Sequence, residues 1–309
     1  MALIDDLEEE AVWLIREVVA TTERPVILFS GGKDSAVLVH LAIKAFRPVR
    51  PPVHLLHVDT GHNFPEVLSF IARTVRRTGL SLITASVPSV LAGGPWYRTV
   101  PADRPDRRPV SRNQLQSPVL LQALQEMKVD AAIGGARRDE DRARAKEHLV
   151  SIRYPDGSWD PGQQSPEPWG AVSTAAPPDG HVRAFPLADW TERDIWSYIA
   201  DRGIDVPCLY YAHRRRLVRR QDRLFAVTDA VPADPGEIVF TDWCRFRTVG
   251  DVVCTAASPL RSDRSAGWPA TPLEVLEDLL TVTVSERGSS RADDDGEAAM
   301  EDRKAQGYF

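Results

Sequence analysis

Between residues 7 and 133 the apolar positions switch repeatedly between helical and strand spacing. Leu7, Ala11, Leu14, Ile15, Val18 and Val19 recur at helical intervals and predict a first helix over about 7–20. The compact apolar run Val26–Phe29 reads as a strand, and Asp34–Phe46 as an amphipathic helix. A second strand is predicted over Val53–Val58, then a helix over Pro65–Thr78 with its proline where a helix starts. Ser81–Ser86 is a third strand, Gln116–Met127 a further helix and Ala131–Ile133 a short strand. Alternation of this kind implies an α/β fold with right-handed crossovers. The expected sheet is doubly wound, mostly parallel and covered on both faces. In such sheets ligands lie beyond the carboxyl ends of the strands.

Three stretches lack either period: 87–118, rich in Pro, Arg and Ser; 155–180, rich in Pro and Gly; and 285–300, an acidic Ser/Gly/Asp run. Loops this long are unusual in a compact domain unless they are functional. The βα alternation stops near 208. The expected division is therefore an N-terminal helix over 1–22, a nucleotide-binding domain over 23–207 and a C-terminal region over 208–309. No internal repeat is evident.

Composition narrows the classes. The 309 residues suffice for one large domain with an appendage, or for two domains. A net charge of −6 gives no basic footprint, which argues against a nucleic-acid partner. No apolar stretch is long enough for a membrane span, and the acidic start (Asp5, Asp6, Glu8, Glu9, Glu10) does not read as a secretory signal. Cys208, Cys244 and Cys254 form no Cys-x-x-Cys pair and no even set, so neither a disulfide framework nor a thiolate metal site is expected. A reducing cytoplasm is the expected setting.

The chemistry concentrates after the predicted strands. Val26–Phe29 runs into Ser30-Gly31-Gly32-Lys33-Asp34-Ser35, at the start of a helix. Glycines let backbone N–H groups approach an anion, the helix aims its free N–H groups at the same point, and Lys33 adds charge. This is a phosphate cradle, though not a Walker A loop, because the glycines are adjacent. His57-Val58-Asp59-Thr60-Gly61 closes the second strand. Asp59 suits a Mg²⁺ or nucleotide hydroxyl, or equally a strand-end turn, and His57 suits the core as well as a ligand. Gly134-Gly135-Ala136-Arg137-Arg138 again follows a strand, with arginines suited to planar oxyanion recognition. The following residues to Glu147 read equally as a charged helix with i,i+4 pairs. Thr191 and Asp194 form a capping-box-like start for an apolar-faced helix, and Arg183 is a plausible ligand contact nearby. Arg245 and Arg247 alternate on an extended segment and share a face, as an oxyanion site or a solvated one.

Ser-Gly-Gly-x-Asp-Ser is similar to the loop of the PP-loop pyrophosphatases. Over nearly the whole chain the sequence resembles the small, catalytic subunit of the bacterial GTPase-coupled sulfate adenylyltransferases. The resemblance rests on Ser30–Ser35, His57–Gly61, Gly134–Glu140, Arg144–Glu147, Phe185–Leu187, Trp190–Trp196, Arg245–Thr248 and the terminal Gln306–Phe309. It implies adenylyl transfer from ATP to inorganic sulfate, with release of pyrophosphate. By the same resemblance, Lys33, Arg137, Arg138 and Lys146 are catalytic. Ser30, Gly31, Gly32, Lys33, Asp34, Ser35, His57, Asp59, Gly134 and Gly135 hold ATP and pyrophosphate. Arg138, Arg245 and Arg247 gather sulfate, and Asp34 or Asp59 bears on Mg²⁺. It further implies a large GTPase subunit, expected as a separate chain because no Walker A loop occurs here; docking is expected on 208–309, where the βα alternation has ended, since the nucleotide edge of the sheet is taken by ATP. Many family members carry Ile where this chain has Gly31. A phosphoadenylylsulfate reductase shares the loop and the Trp-Thr helix. It needs a cysteine near its C-terminus, and none follows Cys254. A tRNA-thiolating enzyme would want paired cysteines and a basic face.

Overall fold

The computed structural model describes residues 2–93, 113–140, 145, 147–160, 164, 167, 172–260 and 266–279. The chain opens with α1 (Ala2–Thr21), β1 (Pro25–Leu28), α2 (Lys33–Phe46), β2 (His54–Asp59), α3 (Pro65–Thr78) and β3 (Leu82–Ser86). It continues through α4 (Val87–Leu91), α5 (Asn113–Glu126), β4 (Ala131–Ile133), β5 (Val150–Arg153), β6 (His181–Ala184) and α6 (Glu192–Arg202). Last come β7 (His213–Arg220), β8 (Arg223–Ala226), β9 (Phe240–Arg245), β10 (Ser258–Pro259) and α7 (Pro272–Leu279).

The main sheet has the order β3-β2-β1-β4-β6-β5. Every pairing is parallel except that of the edge strand β5 with β6. Side chains alternate across the sheet, so two core layers form. Ile27, Leu55 and Ile133 pack with Ile15, Val37, Leu38, Phe70 and Ile199 of α1, α2, α3 and α6. Val26, Leu56 and Ala132 pack on the other face with Val119, Ala123 and Leu124 of α5. The chain leaves β1 on one face and returns to β4 on the other. The topological switch point therefore lies between these two strands, where ligand crevices form in open α/β sheets.

Two expectations need correction. The stretch 87–118 is not wholly loop. The Ser86 hydroxyl caps α4 by accepting from Ser89 N at 3.2 Å, with Pro88 tolerated in the first turn. Likewise α5 begins before the expected residue 116 and carries Pro118 inside it. The strands β5 and β6 were not expected at all. The acidic run at 285–300, Gly94–Ser111 and the Gln306–Phe309 end lie outside the described residues.

Beyond α6 a short 3₁₀ turn (Cys208–Tyr210) leads into an antiparallel sheet of order β10-β9-β7-β8. Its inner residues Leu217, Phe225 and Cys244 continue the larger core layer. The sheet is tied to the β2–α3 region. Val252 N donates to His62 O at 2.9 Å, and the Phe64 and Phe246 rings sit 4.8 Å apart. Arg215 also donates to Glu66 Oε1 at 2.6 Å. None of the described helices is long and apolar enough to cross a membrane.

Candidate active site

The loop between β1 and α2 is built around Gly31. Its φ of +78° is left-handed, and a Cβ there would lie 2.8 Å from Val67 Cγ1 and 2.9 Å from Ile71 Cγ1. Glycine is required on both counts, and the packing presses the loop onto α3. Gly32 caps α2 without a side-chain hydrogen bond. The loop is braced from within: Ser35 Oγ donates to Gly32 O at 3.0 Å, and Ser30 Oγ accepts from Gly32 N at 3.3 Å. Ser30 is exposed at the mouth. The positive end of this 14-residue helix thus opens at the switch point.

Opposite it, the turn after β4 comes very close. A Cβ on Gly135 would lie 3.2 Å from the carbonyl carbon of Asp34, a crowded contact that glycine avoids. The approach delivers Arg137 to α2. Its Nη1 pairs with Asp34 Oδ1, its Nε donates to Asp139 Oδ1 at 2.9 Å, and Glu140 Oε1 lies 3.3 Å from Nη1. Lys33 is 5% exposed, with Nζ 3.1 Å from Asp34 Oδ2 and 3.9 Å from Glu192 Oε1. Arg247 Nη2 donates to Glu192 Oε2 at 3.1 Å, while its Nη1 is buried without a partner. Asp139 Oδ2 in turn accepts from Glu192 N at 2.8 Å, at the first turn of α6. Helix α6 carries the expected capping box between Thr191 and Asp194, which fixes where Glu192 starts the helix.

Burial pushes the Lys33 ammonium down to about 8, against the opposing pull of Glu192. Burial raises the Glu192 carboxyl, but Lys33, Arg247 and Arg137 together outweigh it and hold the group below its usual range. The cluster therefore combines three cations and four acids around the N-terminus of α2. A ring completes it. Tyr210 OH accepts from the Lys33 amide at 2.9 Å, and its ring packs edge-on against Trp196 of α6 at 5.4 Å.

The remaining sequence-derived residues separate. His57 is buried, with Nδ1 3.0 Å from Phe29 O, and desolvation lowers its pKa. Asp59 Oδ1 accepts from Gly61 N at 2.7 Å, the turn-capping arrangement at a strand end. Gly134 sits against the Phe185 ring, with its N–H on Ala184 O at 2.8 Å. Arg138 turns out of the cluster: its Nη1 pairs with Asp189 and its Nε donates to Glu147 O at 3.1 Å. Arg245 and Arg247 are both buried, which sets aside the solvated-face alternative, and each has its own carboxylate: Asp278 of α7 holds Arg245, and Glu192 holds Arg247. Lys146 lies outside the described residues.

Both Asp34 oxygens face cations, which leaves a poor seat for a further metal ion. Among the described residues no group of three or more His, Cys, Asp or Glu side chains is arranged to hold a metal. Asp59 suits Mg²⁺ better, since that ion needs only one or two carboxylates beside substrate phosphates. None of the thiols is placed for chemistry. Cys208 is exposed, Cys254 is buried, and burial pushes the Cys244 thiol up to about 11.

Glu192 and Tyr210 were missed as site residues. Glu192 lies in the Trp-Thr motif but reads there as a helix start, and Tyr210 is far away in sequence. Their place beside Lys33 comes from contacts between segments far apart in the chain, which no local spacing announces.

Residues 24–257 match the phosphoadenosine phosphosulfate reductase domain family. A sulfate adenylyltransferase subunit 2 from Mycolicibacterium gilvum is 47% identical over 98% of this chain and 93% of its own length. The protein of that name from Mycobacterium tuberculosis is 47% identical over the same shares. Among solved structures, a phosphoadenylyl-sulfate reductase from Candida auris, in a phosphate complex, is 16% identical with a TM-score of 0.42. It covers 67% of this chain and 88% of that one. An FMN adenylyltransferase from Candida glabrata, in complex with ATP, is 17% identical with a TM-score of 0.43, over 68% of this chain and 58% of that one.

Proposed function

The chain belongs to the phosphoadenosine phosphosulfate reductase domain family and, within it, to the sulfate adenylyltransferase subunit 2 proteins, and from this we propose how it works. It is a nucleotidyltransferase that moves the adenylyl group of ATP to inorganic sulfate. A sulfate oxygen attacks the α-phosphorus, the bond to the bridging oxygen breaks, and pyrophosphate leaves with that electron pair. The protein has little covalent work to do, so positioning and charge stabilisation carry the catalysis.

The observation behind this reading is the buried set Lys33, Arg137 and Arg247, gathered where α2 begins. The β and γ phosphates take the Ser30–Ser35 loop, where Lys33 steadies the leaving pyrophosphate. Arg137 and Arg247 face the α-phosphate. Gly134, Gly135 and the His57–Asp59 segment border the nucleoside. Asp59 would help hold Mg²⁺, which supplies further charge neutralisation on the triphosphate. Arg138 acts at most from the rim, and Arg245 as a brace through Asp278. The three cysteines form no disulfide among the described residues, which suits a cytoplasmic setting.

Formation of a mixed phosphate–sulfate anhydride is uphill, and no Walker A loop occurs in this chain. A separate GTPase subunit supplies the drive, with contacts on 208–309. The test is to incubate the chain with ATP, Mg²⁺ and sulfate, with and without that subunit and GTP, and to quantify adenosine 5′-phosphosulfate. Little product from the chain alone and a large gain with the partner and GTP is the expected result. Full accumulation by the isolated chain, with no pyrophosphatase present, overturns the coupling. No sulfate-dependent product in any arm overturns the activity.

A further inference from the structure

A second group of arginines lies apart from the Lys33 cluster, at the far edge of the main sheet. In the antiparallel pair β5–β6, Ser151 is opposite Arg183 and Arg153 is opposite His181. Alternation along the two strands places all four side chains on one face of the sheet. Arg183 is also beside Ala132 of β4, two residues before Gly134, on the face that α5 covers. The next residue, Ala184, accepts the Gly134 N–H at 2.8 Å. The group is thus one strand away from the switch-point crevice.

Arg153 is 0% exposed and Arg183 is 2% exposed. Glu147 is the carboxylate that meets them: it pairs with Arg153 Nη2 and accepts from Ser151 Oγ at 2.7 Å. Trp159 covers Arg153 with its ring 5.8 Å away. Arg183 has no ion pair and no side-chain hydrogen bond among the described residues, and its Nε is buried without a partner. Arg153 Nε and Nη1 and His181 Nε2 are orphaned in the same way. Burial, and then Arg183 and Arg153, hold His181 neutral, pushing its pKa down to about 3. Burial, and then Arg153, lower Arg183 to about 9, still charged at neutral pH. Among the described residues, two buried guanidinium groups therefore face one carboxylate. A buried cation without a partner is among the costliest features a fold can keep, whereas an apolar residue of similar size would be cheaper. Arginine is the side chain best matched to an oxyanion, through its planar fork of donors.

We propose that Arg183, Arg153 and His181 line a binding site for a small tetrahedral oxyanion, and that in the reaction proposed above this site receives the acceptor sulfate. The assignment to the acceptor rests on that reading; the anion site itself does not. It also answers a question left by the other arginines, since Arg138 and Arg245 are already held by Asp189 and Asp278. Ser151 supplies a hydroxyl at the floor, and Glu147 keeps Arg153 oriented.

Arg183→Met separates a ligand site from a structural arginine. Thermal melts of the full chain are compared in sodium chloride, sulfate and phosphate at equal ionic strength. The wild-type chain is expected to melt higher in sulfate than in chloride. The variant should melt no lower than wild type in chloride and lose the sulfate increment. With the GTPase subunit present, its KM for sulfate should rise at least about tenfold, the scale of a lost charged hydrogen bond, with KM for ATP unchanged. Arg183→Lys keeps the charge without the fork and should fall between the two. A lower melting point of Arg183→Met in chloride with the sulfate increment retained overturns the site, as does an unchanged KM for sulfate. A larger increment from phosphate than from sulfate overturns the sulfate assignment. If the wild-type chain forms no adenosine 5′-phosphosulfate yet keeps an Arg183-dependent sulfate increment, the site stands and the proposed activity falls.

Discussion

The molecule buries arginine in two ways. At the mouth between β1 and β4, Lys33, Arg137 and Arg247 are matched by Asp34, Asp139, Glu140 and Glu192, so that the cations are neutralised before any substrate arrives. At the edge of the same sheet, Glu147 is the one carboxylate near Arg153 and Arg183 among the described residues, and it pairs with Arg153 alone. The first arrangement is stable as it stands, and an entering triphosphate must exchange places with carboxylates. The second is short of negative charge among the described residues. Substitutions should therefore act oppositely: taking a cation from the balanced cluster strands acids, whereas taking Arg183 removes an unmatched charge.

The largest effect is expected at Lys33. Lys33→Ala should lower adenylyl transfer by about 100-fold or more, as loss of a preorganised charge at a transferring phosphoryl group does. Sulfate-dependent pyrophosphate exchange, measured beside a thermal melt, tests this. A wild-type rate would remove Lys33 from the mechanism.

Adjacent arginines sharpen the contrast. Arg137→Ala leaves Asp34 without its guanidinium partner and should cost about 3 kcal/mol of stability together with most of the activity. Arg138, paired with Asp189 at the surface, should lose less than about fivefold on the same change, the scale of an exposed ion pair. Denaturant melts and exchange rates on both variants decide the order; equal losses would place both side chains at the phosphate.

The pH dependence is next in size. Lys33 is charged below about 8 and neutral above it in the free chain. The ammonium form is the one that attracts phosphate, so ATP binding is full below that point and weakens as pH rises through it. KM for ATP should climb by up to about tenfold per pH unit there, as one linked proton requires. Initial rates from about pH 7 to about pH 9 measure it, and Lys33→Met should abolish the step. A flat profile in the wild-type chain would mean that Lys33 is not the gripping charge.

The smallest effect serves as a control on both clusters. Cys208→Ser, Cys244→Ser and Cys254→Ser should leave turnover unchanged, with no more than about 1 kcal/mol lost at each of the two buried positions. A folded triple variant without turnover would revive a thiol-based reaction.

What was legible in the sequence follows from how local each feature is. Pro65–Thr78 matched the helix residue for residue, because a proline opens it and Gly79, in a left-handed conformation, closes it. Strands β1 and β2 stood out as apolar runs because parallel strands are buried on both faces. Strands β5 and β6 were hidden by their own function-bearing side chains: Ser151, Arg153, His181 and Arg183 make four buried positions look polar. Strand β7 was missed for a related reason, since its first inward positions are His213 and Arg215 rather than apolar residues. In the site, Lys33 and Arg137 were readable from glycine-flanked motifs. Glu192, Tyr210 and the separation of Arg245 from Arg247 depend on contacts between distant segments, for which spacing gives no signal.

The hydrogen bond from the Lys33 amide to Tyr210 OH has one more consequence. It joins the residue that opens α2 to the segment leading into the second sheet, across 177 positions of chain. Trp196 wedges the ring and the Phe246 amide fastens to Leu209 O at 2.8 Å, so the hydroxyl has little freedom to follow the loop. Any occupant of the loop that shifts the Lys33 amide works against the seating of residues 208–211. Linkage is reciprocal, so whatever firms or loosens that seating from the far side must change the loop's affinity for its occupant by the same factor.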